Sequence, residues 1–512
     1  MSQQSYLIDT NILIGLEDDH QVEPMYARFL NLASSHKVNV FVHEASVADI
    51  DRDKDDKRRR ISLSKLAKYP ILKGQRGLEA GELASTYGKL SKPNDITDAK
   101  LLHALETGVV DFLVTQDKGL HERAQSRSPE LGRRVLFLND AAGLLIQTYE
   151  PKDVPIRLIA EEKAHEINQR DSFFDSLREG YPGFDKWWQE KCVKDRRSCW
   201  VVYDNQRLAG LIVRKDEAPG KTDAISSANK IMKICTFKVA SESRGIKLGE
   251  LLLKQVLWYA QTNAYDLVYL TTFEKQASLR DLIEFYGFKN QGKIDSGELI
   301  YERPFSRNPI VRSETSSAFE LARKNYPRFL FDPQTRAFGV PIREEYHDTL
   351  YPDLKDLRQP DLFSGANRLP AATRPGNTIR KVYLCRAQSK LAPPGSLLFF
   401  YKGKSKALPT QAMTTLGILE GVRSASSTKE LMQMTGGRSV YSEEQLERFA
   451  ATSKRPVKVI DFLLLHYIDP PISLSELRKL GIVKKNLPQS IYELTSQQTS
   501  ELVARANLEF QV

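Results

Sequence analysis

The sequence predicts an α/β protein built from several domains. The chain has 512 residues, of which 41% are hydrophobic and 27% charged, and a soluble chain of this length exceeds what one hydrophobic core organises. Short apolar runs alternate with helical patterns in its first third, which is typical of a parallel sheet with flanking helices. We expect an amino-terminal domain over residues 1–150, a second domain over 151–306, a connector over 307–370 and a carboxyl-terminal domain over 371–512.

Composition argues against several classes of protein. No apolar stretch approaches the roughly 18 residues of a membrane span, and the first part of the chain is already rich in acids, so we expect neither a span nor a signal peptide. The four cysteines form no C-x-x-C pair, which predicts buried thiols in place of disulfides or a thiolate zinc site. We expect a cytoplasmic protein.

Positive charge is concentrated near the carboxyl terminus. The formal net charge is +10, and residues 351–512 hold 23 Lys and Arg against 14 Asp and Glu, whereas residues 1–150 hold 20 against 22. A basic domain favours a polyanion such as RNA, because Lys and Arg neutralise phosphates. A solvated basic face without a partner is the alternative.

The amino-terminal domain carries acids at the ends of its predicted elements. Strands are predicted in YLIDTNILI, VNVFVHEAS, DFLVTQD and RVLFLND, and a helix closed by Gly108 in DAKLLHALETG. The carboxyl ends of parallel strands meet in one crevice, and carboxylates crowded there are tolerable with a divalent cation among them. Oxygen ligands without His or Cys favour Mg²⁺ or Mn²⁺.

Each of these acids also has an ordinary structural interpretation. Asp95 and Asp98 follow SKPN and are candidates for helix capping. Glu44 at a helix start is a candidate partner of the helix dipole. Asp9 and Asp117 precede turn-prone residues and are candidate turn formers. The order of the set along the chain carries more weight than any one member.

That order resembles the PIN domain, a family of metal-dependent nucleases that act mainly on RNA. The matching motifs are LIDTNILI with Asp9, VHEAS with Glu44, TDAKLLHALETG with Asp98 and LVTQD with Asp117. The resemblance implies that Asp9, Asp98 and Asp117 hold Mg²⁺ or Mn²⁺ and that the metal activates the hydrolytic water. It also implies that Glu44 completes the cluster or orients that water. Asp95 is an additional acid near the third position, so either Asp95 or Asp98 is the closer ligand.

The second domain contains a strand, a glycine-bearing turn and an apolar helix in succession, ICTFKVASESRGIKLGELLL. Free N–H groups at such a helix start bind anions, although ordinary turn chemistry is the alternative. The pattern resembles the loop of GNAT acetyltransferases, approximately R/Q-x-x-G-x-G/A. Val239, Arg244 and Gly249 fit that register, with Gly245 in the turn and Lys247 in place of the middle glycine. The resemblance implies acetyl-CoA binding and a mixed sheet with helices.

Catalysis in this domain is less defined than binding. GNAT members often place a general-acid Tyr four residues before the glycine of a G-F element, and here that position is Ile283. Tyr286 stands next to Gly287 and is interpreted either as an acid or as a packed aromatic. A working transferase and an acyl-CoA sensor or scaffold are both open. The sequence also predicts one amphipathic helical stretch over residues 156–180, ahead of the first strand of this domain.

The carboxyl-terminal domain is strand-rich, with IRKVYLCRA, SLLFFYKG and TTLGILEGVRSA separated by glycine turns. It resembles the small PUA-like barrels, including the ASCH and EVE types, which generally bind RNA or modified bases. Tyr383, Phe399, Phe400 and Tyr401 are candidates for base stacking or for the core. His466 lies in an apolar run and is interpreted as a satisfied buried imidazole.

Three functions follow from these parts. The first is a metal-dependent ribonuclease joined to an acetyltransferase-type domain and an RNA-binding barrel, with a toxin or defence role and a restraining partner expected by analogy. The second is an acetyltransferase acting on an amine such as that of charged tRNA, with the first domain gripping RNA. The third is a non-enzymatic regulator that binds nucleic acid and senses acyl-CoA. The oligomeric state stays open.

Overall fold

A computed structural model describes most of the chain in two compact units. The described residues are 4–15, 24–51, 55–73, 79–149, 159–204, 206–240, 247–354, 378–387, 393–403, 411–435, 443–484, 486–508 and 510. The first unit comprises Met1–Lys152 with Ser427–Gly437, and the second comprises Asp153–Ser426 with Arg438–Val512. None of the described helices combines the length and apolar character that crossing a bilayer requires.

The first unit contains a five-stranded parallel sheet in the order β3-β2-β1-β4-β5. Its strands are β1 Ser5–Ile8, β2 Asn39–His43, β3 Ile71–Leu72, β4 Phe112–Val114 and β5 Val135–Leu136. Its helices are α1 Thr10–Gly15, α2 Pro24–Ser35, α3 Glu44–Asp51, α4 Asp56–Leu66, α5 Ala80–Tyr87, α6 Pro93–Glu106, α7 Lys118–Arg127, α8 Pro129–Arg134 and α9 Leu138–Tyr149.

Both faces of this sheet are covered. Tyr6 and Ile8 belong to one apolar cluster and Leu7 to another, because successive strand residues point to opposite faces. The alternation of strands and helices predicted from the sequence is therefore confirmed. One detail differs: RVLFLND is only a two-residue strand followed by α9, so Asp140 lies in the first turn of a helix and does not end a strand.

The second unit begins with a seven-stranded mixed sheet in the order β6-β7-β8-β9-β10-β12-β11. Its strands are β6 Ala160–Lys163, β7 Ser198–Asp204, β8 Arg207–Glu217, β9 Ile231–Val239, β10 Leu267–Thr272, β11 Lys289–Lys293 and β12 Leu299–Pro304. Its helices are α10 Asp175–Gly180, α11 Phe184–Trp187, α12 Leu248–Thr262 and α13 Ala277–Phe285, with a 3-10 turn at Ser172–Phe174 and a π-helical turn at Trp188–Val193.

The predicted strands of this sheet and the helix α12 are present. The single helical stretch predicted over residues 156–180 is wrong at Ala160–Lys163, which forms the edge strand β6 against β7, and is correct only at its end, where a 3-10 turn at Ser172–Phe174 leads into the short helix α10. Pairing with a neighbouring strand decides this segment, and the local charge pattern does not report that pairing.

A second sheet of six strands follows in the order β14-β17-β16-β15-β13-β18. Its strands are β13 Ala337–Ile342, β14 Arg380–Cys385, β15 Leu397–Lys402, β16 Ala412–Ala425, β17 Val457–Ser473 and β18 Tyr492–Leu494. The remaining helices are α14 Ala318–Lys324, α15 Glu344–Leu350, α16 Thr428–Thr435, α17 Glu443–Arg448, α18 Leu474–Lys479 and α19 Ser496–Arg505, with a 3-10 turn at Pro352–Leu354. The helix α16 belongs to the first unit.

The described strands of this second sheet form an open row from β14 to β18, so the predicted barrel is not seen in them. The segment expected to be a connector contributes β13, which pairs with both β15 and β18. Three of the aromatics considered for base stacking are core residues: Phe399, Phe400 and Tyr401 are buried. Tyr383 is half-buried and donates its hydroxyl to the carbonyl of Pro341.

The helix α12 packs against both sheets of the second unit. Glu250, Lys254 and Trp258 are spaced four residues apart and therefore lie on one face of the helix. Glu250 Oε1 accepts a hydrogen bond from the backbone N of Arg380 at 2.6 Å. The Tyr467 ring of β17 lies 5.7 Å from Lys254 Nζ and 5.5 Å from the Trp258 ring. The two sheets thus share one continuous apolar core.

Candidate functional site

Two neighbouring parallel strands of the seven-stranded sheet separate at their carboxyl ends. The register of β9 with β10 ends at Ile234 opposite Leu270. Beyond that point β9 stays paired with β8 as far as Val239, and β10 stays paired with β12 as far as Thr272. The facing edges of β9 and β10 are therefore no longer paired with each other, which leaves peptide groups able to bond an extended ligand. We call this feature the strand gap.

A β-bulge in β9 coincides with the start of the strand gap. Val213 of β8 pairs with Thr236 and the next residue, Arg214, pairs with Ile234, so Cys235 is the extra residue of β9. A bulge of this kind bends its strand and increases the local twist. It provides the physical reason why β9 turns away from β10 at this point.

The cofactor residues predicted from the sequence surround the end of β9 and the start of α12. Val239 is the last residue of β9 and is half-buried. Arg244 and Gly245 lie outside the described residues. Lys247 precedes α12 with φ +61°, a left-handed conformation, so the lysine adopts there the backbone shape that a glycine would supply freely. Gly249 lies in the first turn, where an added Cβ would be 3.2 Å from Leu282 Cδ2.

This arrangement fits a diphosphate-bearing ligand. The first turn of α12 offers N–H groups that no residue of the helix itself satisfies, and the helix dipole favours negative charge there. The lysine at the same end adds a positive charge. The adjacent strand gap offers peptide groups to a chain that carries amides, so both parts of acetyl-CoA have a matching partner in the fold.

The aromatic considered as a general acid lies in the core. Tyr286 is buried and its ring stands 4.9 Å from Phe285 and 5.9 Å from Tyr326. Ile283 is also fully buried. The interpretation of Tyr286 as a packed aromatic is the one that the geometry favours.

Sequence reasoning missed three residues that lie beside the strand gap, on the sheet face opposite α12. Tyr181 follows α10, Phe273 follows β10 and Glu298 precedes β12. The Tyr181 and Phe273 rings are 5.4 Å apart, and burial, together with the charge of Glu298, raises the pKa of Tyr181 to about 12. The only local signals were aromatic residues placed directly after a helix and a strand.

In the first unit, the carboxylate of Asp9 is held by four hydrogen bonds. Thr10 donates its backbone N and its hydroxyl to Oδ1 at 2.6 and 3.1 Å. Asn11 Nδ2 and Thr115 Oγ1 donate to Oδ2, each at 2.7 Å. Burial raises the pKa of Asp9, and the hydrogen bonds from Thr115 and Thr10 oppose that rise. The side chain is therefore fixed at the carboxyl end of β1.

The charge of Asp98 is coupled to two of the other predicted acids. Burial raises the pKa of Asp98 to about 7, with further contributions from the negative charges of Asp9 and Asp117. Asp117 also caps α7, since its Oδ1 accepts from the backbone N of Gly119 at 2.7 Å and of Leu120 at 3.2 Å. The structure thus brings the three acids into mutual electrostatic range: Asp9 and Asp117 follow the carboxyl ends of the parallel strands β1 and β4, and Asp98 lies in the helix α6.

The two remaining acids have other roles in the structure. Asp95 Oδ2 accepts from the backbone N of Ser91 at 2.6 Å and of Lys92 at 2.9 Å, and its Oδ1 lies 3.3 Å from Arg123 Nη2. This is helix capping, so Asp98 is the better candidate for the third acid. Glu44 is exposed in the first turn of α3. Among the described residues, no group of three or more His, Cys, Asp and Glu side chains is placed to hold a metal ion.

Replacing Asp98 by asparagine is expected to change how the stability of the first unit depends on pH. The folded state binds this proton more tightly than the unfolded chain, because the pKa rises from 3.8 to about 7. The stabilisation is full below pH ~4 and is lost as the pH rises through about 7. Asp98→Asn should therefore raise the free energy of unfolding at pH 8, where the full shift of roughly three pKa units acts, by about 4 kcal/mol. Urea unfolding at pH 5 and 8, with EDTA present, measures this. An equal effect at both pH values would contradict the coupling.

Comparison with known proteins identifies one part of the chain. Residues 162–288 match the model of the acetyltransferase (GNAT) family. This match begins in β6 and ends just before β11, and it includes the strand gap and α12. The second unit therefore contains a GNAT acetyltransferase domain. No curated protein matches the chain significantly.

Solved structures show more distant similarities. The Bacillus subtilis acetyltransferase in complex with CoA is 16% identical, covering 29% of this chain and 100% of that chain with a TM-score of 0.23. The PaiA N-acetyltransferase from Thermoplasma acidophilum, in complex with coenzyme A, is 15% identical, covering 29% of this chain and 99% of that chain with a TM-score of 0.22. ASCH from Zymomonas mobilis is 16% identical, covering 33% of this chain and 94% of that chain with a TM-score of 0.23. At these TM-scores the similarities carry no functional inference for this chain.

Proposed function

We propose that this protein is an acetyl-CoA-dependent N-acetyltransferase whose reaction takes place at the strand gap. The observation that carries the proposal is the parting of β9 from β10 beside the start of α12, within the segment that matches the GNAT family. Val239, Lys247 and Gly249 border that site, and Arg244 and Gly245 belong to the same loop in the sequence. The helix start would hold the diphosphate and the strand edges would hold the amide-bearing arm.

Bound acetyl-CoA supplies a thioester. The acceptor nitrogen bonds to the carbonyl carbon of this thioester while the carbon–sulfur bond breaks. One proton of the amine passes to the sulfur of coenzyme A. The contribution of the chain is mainly to orientation, because holding two reactants together removes much of the entropic barrier. The acceptor would approach from the sheet face opposite α12, where Tyr181 and Glu298 lie.

Reversing the charge of Lys247 is expected to weaken acetyl-CoA binding by about 30-fold, because a charge-assisted contact to phosphate contributes about 2 kcal/mol. Lys247→Gly is the matched control, since it removes the charge and keeps access to the left-handed conformation at φ +61°. Isothermal titration with acetyl-CoA should order the affinities as wild type, Lys247→Gly and then Lys247→Glu. Equal affinities for the three proteins would contradict the placement of the diphosphate.

The finer proposal is that the acceptor amine is carried by RNA, as in charged tRNA. Its support is the positive charge of residues 351–512, with 23 Lys and Arg against 14 Asp and Glu. Purified protein, labelled acetyl-CoA and charged tRNA test it directly. Binding of both ligands without acetyl transfer would favour the non-enzymatic sensor instead.

A second activity, hydrolysis of RNA phosphodiesters by the first unit, is favoured by the electrostatic coupling of Asp9, Asp98 and Asp117. Among the described residues these acids do not stand as a group able to hold a metal ion, so the proposal requires them to draw closer together when a metal binds. Mg²⁺ or Mn²⁺ would suit an all-oxygen set and would activate water and neutralise phosphate charge. Mn²⁺ should raise the melting temperature of the first unit in the wild type and not in Asp98→Asn. Cleavage of RNA by Asp98→Asn at the wild-type rate would exclude this activity.

A further inference from the structure

The helix α15 is joined to the six-stranded sheet by a chain of polar side chains. His347 Nε2 lies 2.6 Å from Thr414 Oγ1 in β16, and His347 Nδ1 lies 3.1 Å from Asp348 Oδ1. The same carboxylate oxygen accepts a hydrogen bond from Lys402 Nζ in β15 at 2.9 Å. A hydroxyl, an imidazole and a carboxylate thus follow one another at hydrogen-bonding distance.

The protonation of His347 gives these hydrogen bonds a direction. Burial lowers the pKa of His347, against the opposing effect of Asp348, so the imidazole is neutral at physiological pH. Its one proton is held at Nδ1, because the ionised carboxylate of Asp348, which pairs with Lys402, accepts hydrogen bonds and donates none. Nε2 is then an acceptor, and the hydroxyl of Thr414 donates to it. This is the arrangement in which a base activates a nucleophile.

Thr414 lies outside the regular pairing of its strand. In the register of β15 with β16, Phe400 pairs with Thr415. The next pair is Tyr401 with Met413, which makes Thr414 an extra residue. The register of β16 with β17 also passes over it, between Met413 and Thr415. A bulge leaves the peptide group of its extra residue outside the ladder, and a backbone N–H of this kind beside a nucleophile can stabilise the oxyanion of an acyl-transfer intermediate.

An aromatic side chain with an unsatisfied hydroxyl borders the same residues. The Tyr351 ring lies 5.1 Å from the His347 ring and 5.4 Å from the Phe400 ring. Tyr351 is fully buried, and its hydroxyl has no hydrogen-bond partner within the part of the chain that the structure describes. A buried hydroxyl without a partner costs stability, and a polar atom of a bound ligand would remove that cost.

We propose that Thr414 is the nucleophile of a second, hydrolytic site, which cleaves esters of small uncharged acyl groups. Thr414 Oγ1 bonds to the carbonyl carbon of the ester while its proton passes to His347 Nε2. The carbon–oxygen bond of the ester then breaks, and the alcohol leaves with that proton. Water next attacks the acyl-threonine. His347 takes a proton from this water and returns it to Thr414 Oγ1 as the carboxylic acid departs.

Access and charge define the substrate. Thr414 is 6% exposed, so its surroundings admit only a small acyl group. The acids nearby are already paired, because Lys402 Nζ lies 2.9 Å from Asp348 Oδ1 and 3.2 Å from Glu344 Oε1. These charges therefore balance one another, and the buried ring of Tyr351 favours an uncharged group. The site belongs to the six-stranded sheet, so the activity is independent of acetyl transfer at the strand gap.

A covalent probe of nucleophilic hydroxyls tests this site. Methanesulfonyl fluoride is incubated with the full-length protein. A reactive hydroxyl displaces fluoride and retains the methanesulfonyl group, which peptide mass spectrometry locates. We expect labelling of Thr414 in wild type and of the same position in Thr414→Ser. Thr414→Val, which has the same shape and lacks the hydroxyl, should carry no label there. His347→Gln keeps a hydrogen-bonding side chain without the base, so it should be labelled about a hundredfold more slowly.

Hydrolysis of p-nitrophenyl acetate measures turnover by the same proteins. Thr414→Val and His347→Gln should lower the rate about a hundredfold. Asp348 acts through His347 as a positioning residue, so Asp348→Asn should lower kcat about tenfold and leave KM unchanged. Melting temperatures equal to that of wild type show that each variant is folded.

Three results would overturn the proposal. They are an unlabelled Thr414 in wild type, equal labelling rates in wild type and His347→Gln, and ester hydrolysis that is the same in wild type and Thr414→Val. The polar chain would then only join α15 to the sheet. If His347→Gln does not fold, Thr414→Ser and Thr414→Val decide the question, because label and turnover in the first and neither in the second require a nucleophilic hydroxyl at this position.

Discussion

Asp461→Asn is expected to lower the free energy of unfolding of the second unit by about 3 kcal/mol. Asp461 on β17 and Arg423 on β16 form a buried ion pair, with the two side chains 1% and 5% exposed. Both Nε and Nη2 of the guanidinium donate to Asp461 Oδ2, at 3.1 and 2.8 Å. Removing one charge leaves the other buried without its counter-charge, and that desolvation is the main cost.

A double variant separates the cost of a lone charge from the value of the pair. Arg423→Met combined with Asp461→Met removes both charges and fills similar volume, so it should recover most of the stability lost by Asp461→Asn. Guanidinium denaturation of the full-length protein, followed by tryptophan fluorescence, measures the free energy of unfolding of wild type, Asp461→Asn and the double variant. If the double variant is no more stable than the single one, the buried charge is not the cause of the loss.

Trp258→Ala is expected to lower the free energy of unfolding of the same unit by about 3 kcal/mol. Trp258 Nε1 donates to Tyr326 Oη at 3.0 Å, its ring stands 5.5 Å from the Tyr467 ring, and Lys254 Nζ lies 5.0 Å from it. The truncation removes these contacts and opens a cavity between the two sheets. Because Lys247 directly precedes the same helix, coenzyme A affinity should fall as well.

Trp258→Phe is the matched control for this position. It keeps an aromatic ring against Tyr467 and loses the hydrogen bond to Tyr326, so we expect a loss of about 1 kcal/mol. Denaturation midpoints and coenzyme A titrations should fall together across wild type, Trp258→Phe and Trp258→Ala. Wild-type coenzyme A affinity in a destabilised Trp258→Ala would contradict the link between the helix start and this packing.

The sequence predicted those elements whose pattern is set locally. The strands β7, β8 and β10 are largely apolar and buried, β9 is half-buried, and α12 has apolar residues at helical spacing. The strand β6 was missed because AEEK is charged and largely exposed, and only its pairing with β7 makes it extended. The strand β13 was missed for a related reason, since its AFGVPI sequence contains Gly and Pro and is held by β15 and β18.

The same distinction between local sequence pattern and tertiary contact explains which parts of the candidate sites could be predicted. Acids that follow strands, such as Asp9 and Asp117, are visible in a sequence, whereas the approach of Asp98 to them depends on where the helix α6 packs. Whether an acid caps a helix or faces a crevice depends on side-chain direction, so Asp95 could not be assigned. The contact of the Tyr181 ring with the Phe273 ring joins residues that are distant in sequence and share no motif, so only the folded sheet shows it.

The packing of α12 decides where this protein can be divided. A shortened chain that ends near residue 306 would keep every strand of the seven-stranded sheet, yet it would leave Lys254 and Trp258 facing water and take away the backbone donor that Glu250 uses. Loss of acetyl transfer in such a fragment would therefore report a collapsed helix, and it would say nothing about whether the carboxyl-terminal sheet recognises a substrate. The function of each sheet is therefore best tested with point variants in the full-length protein.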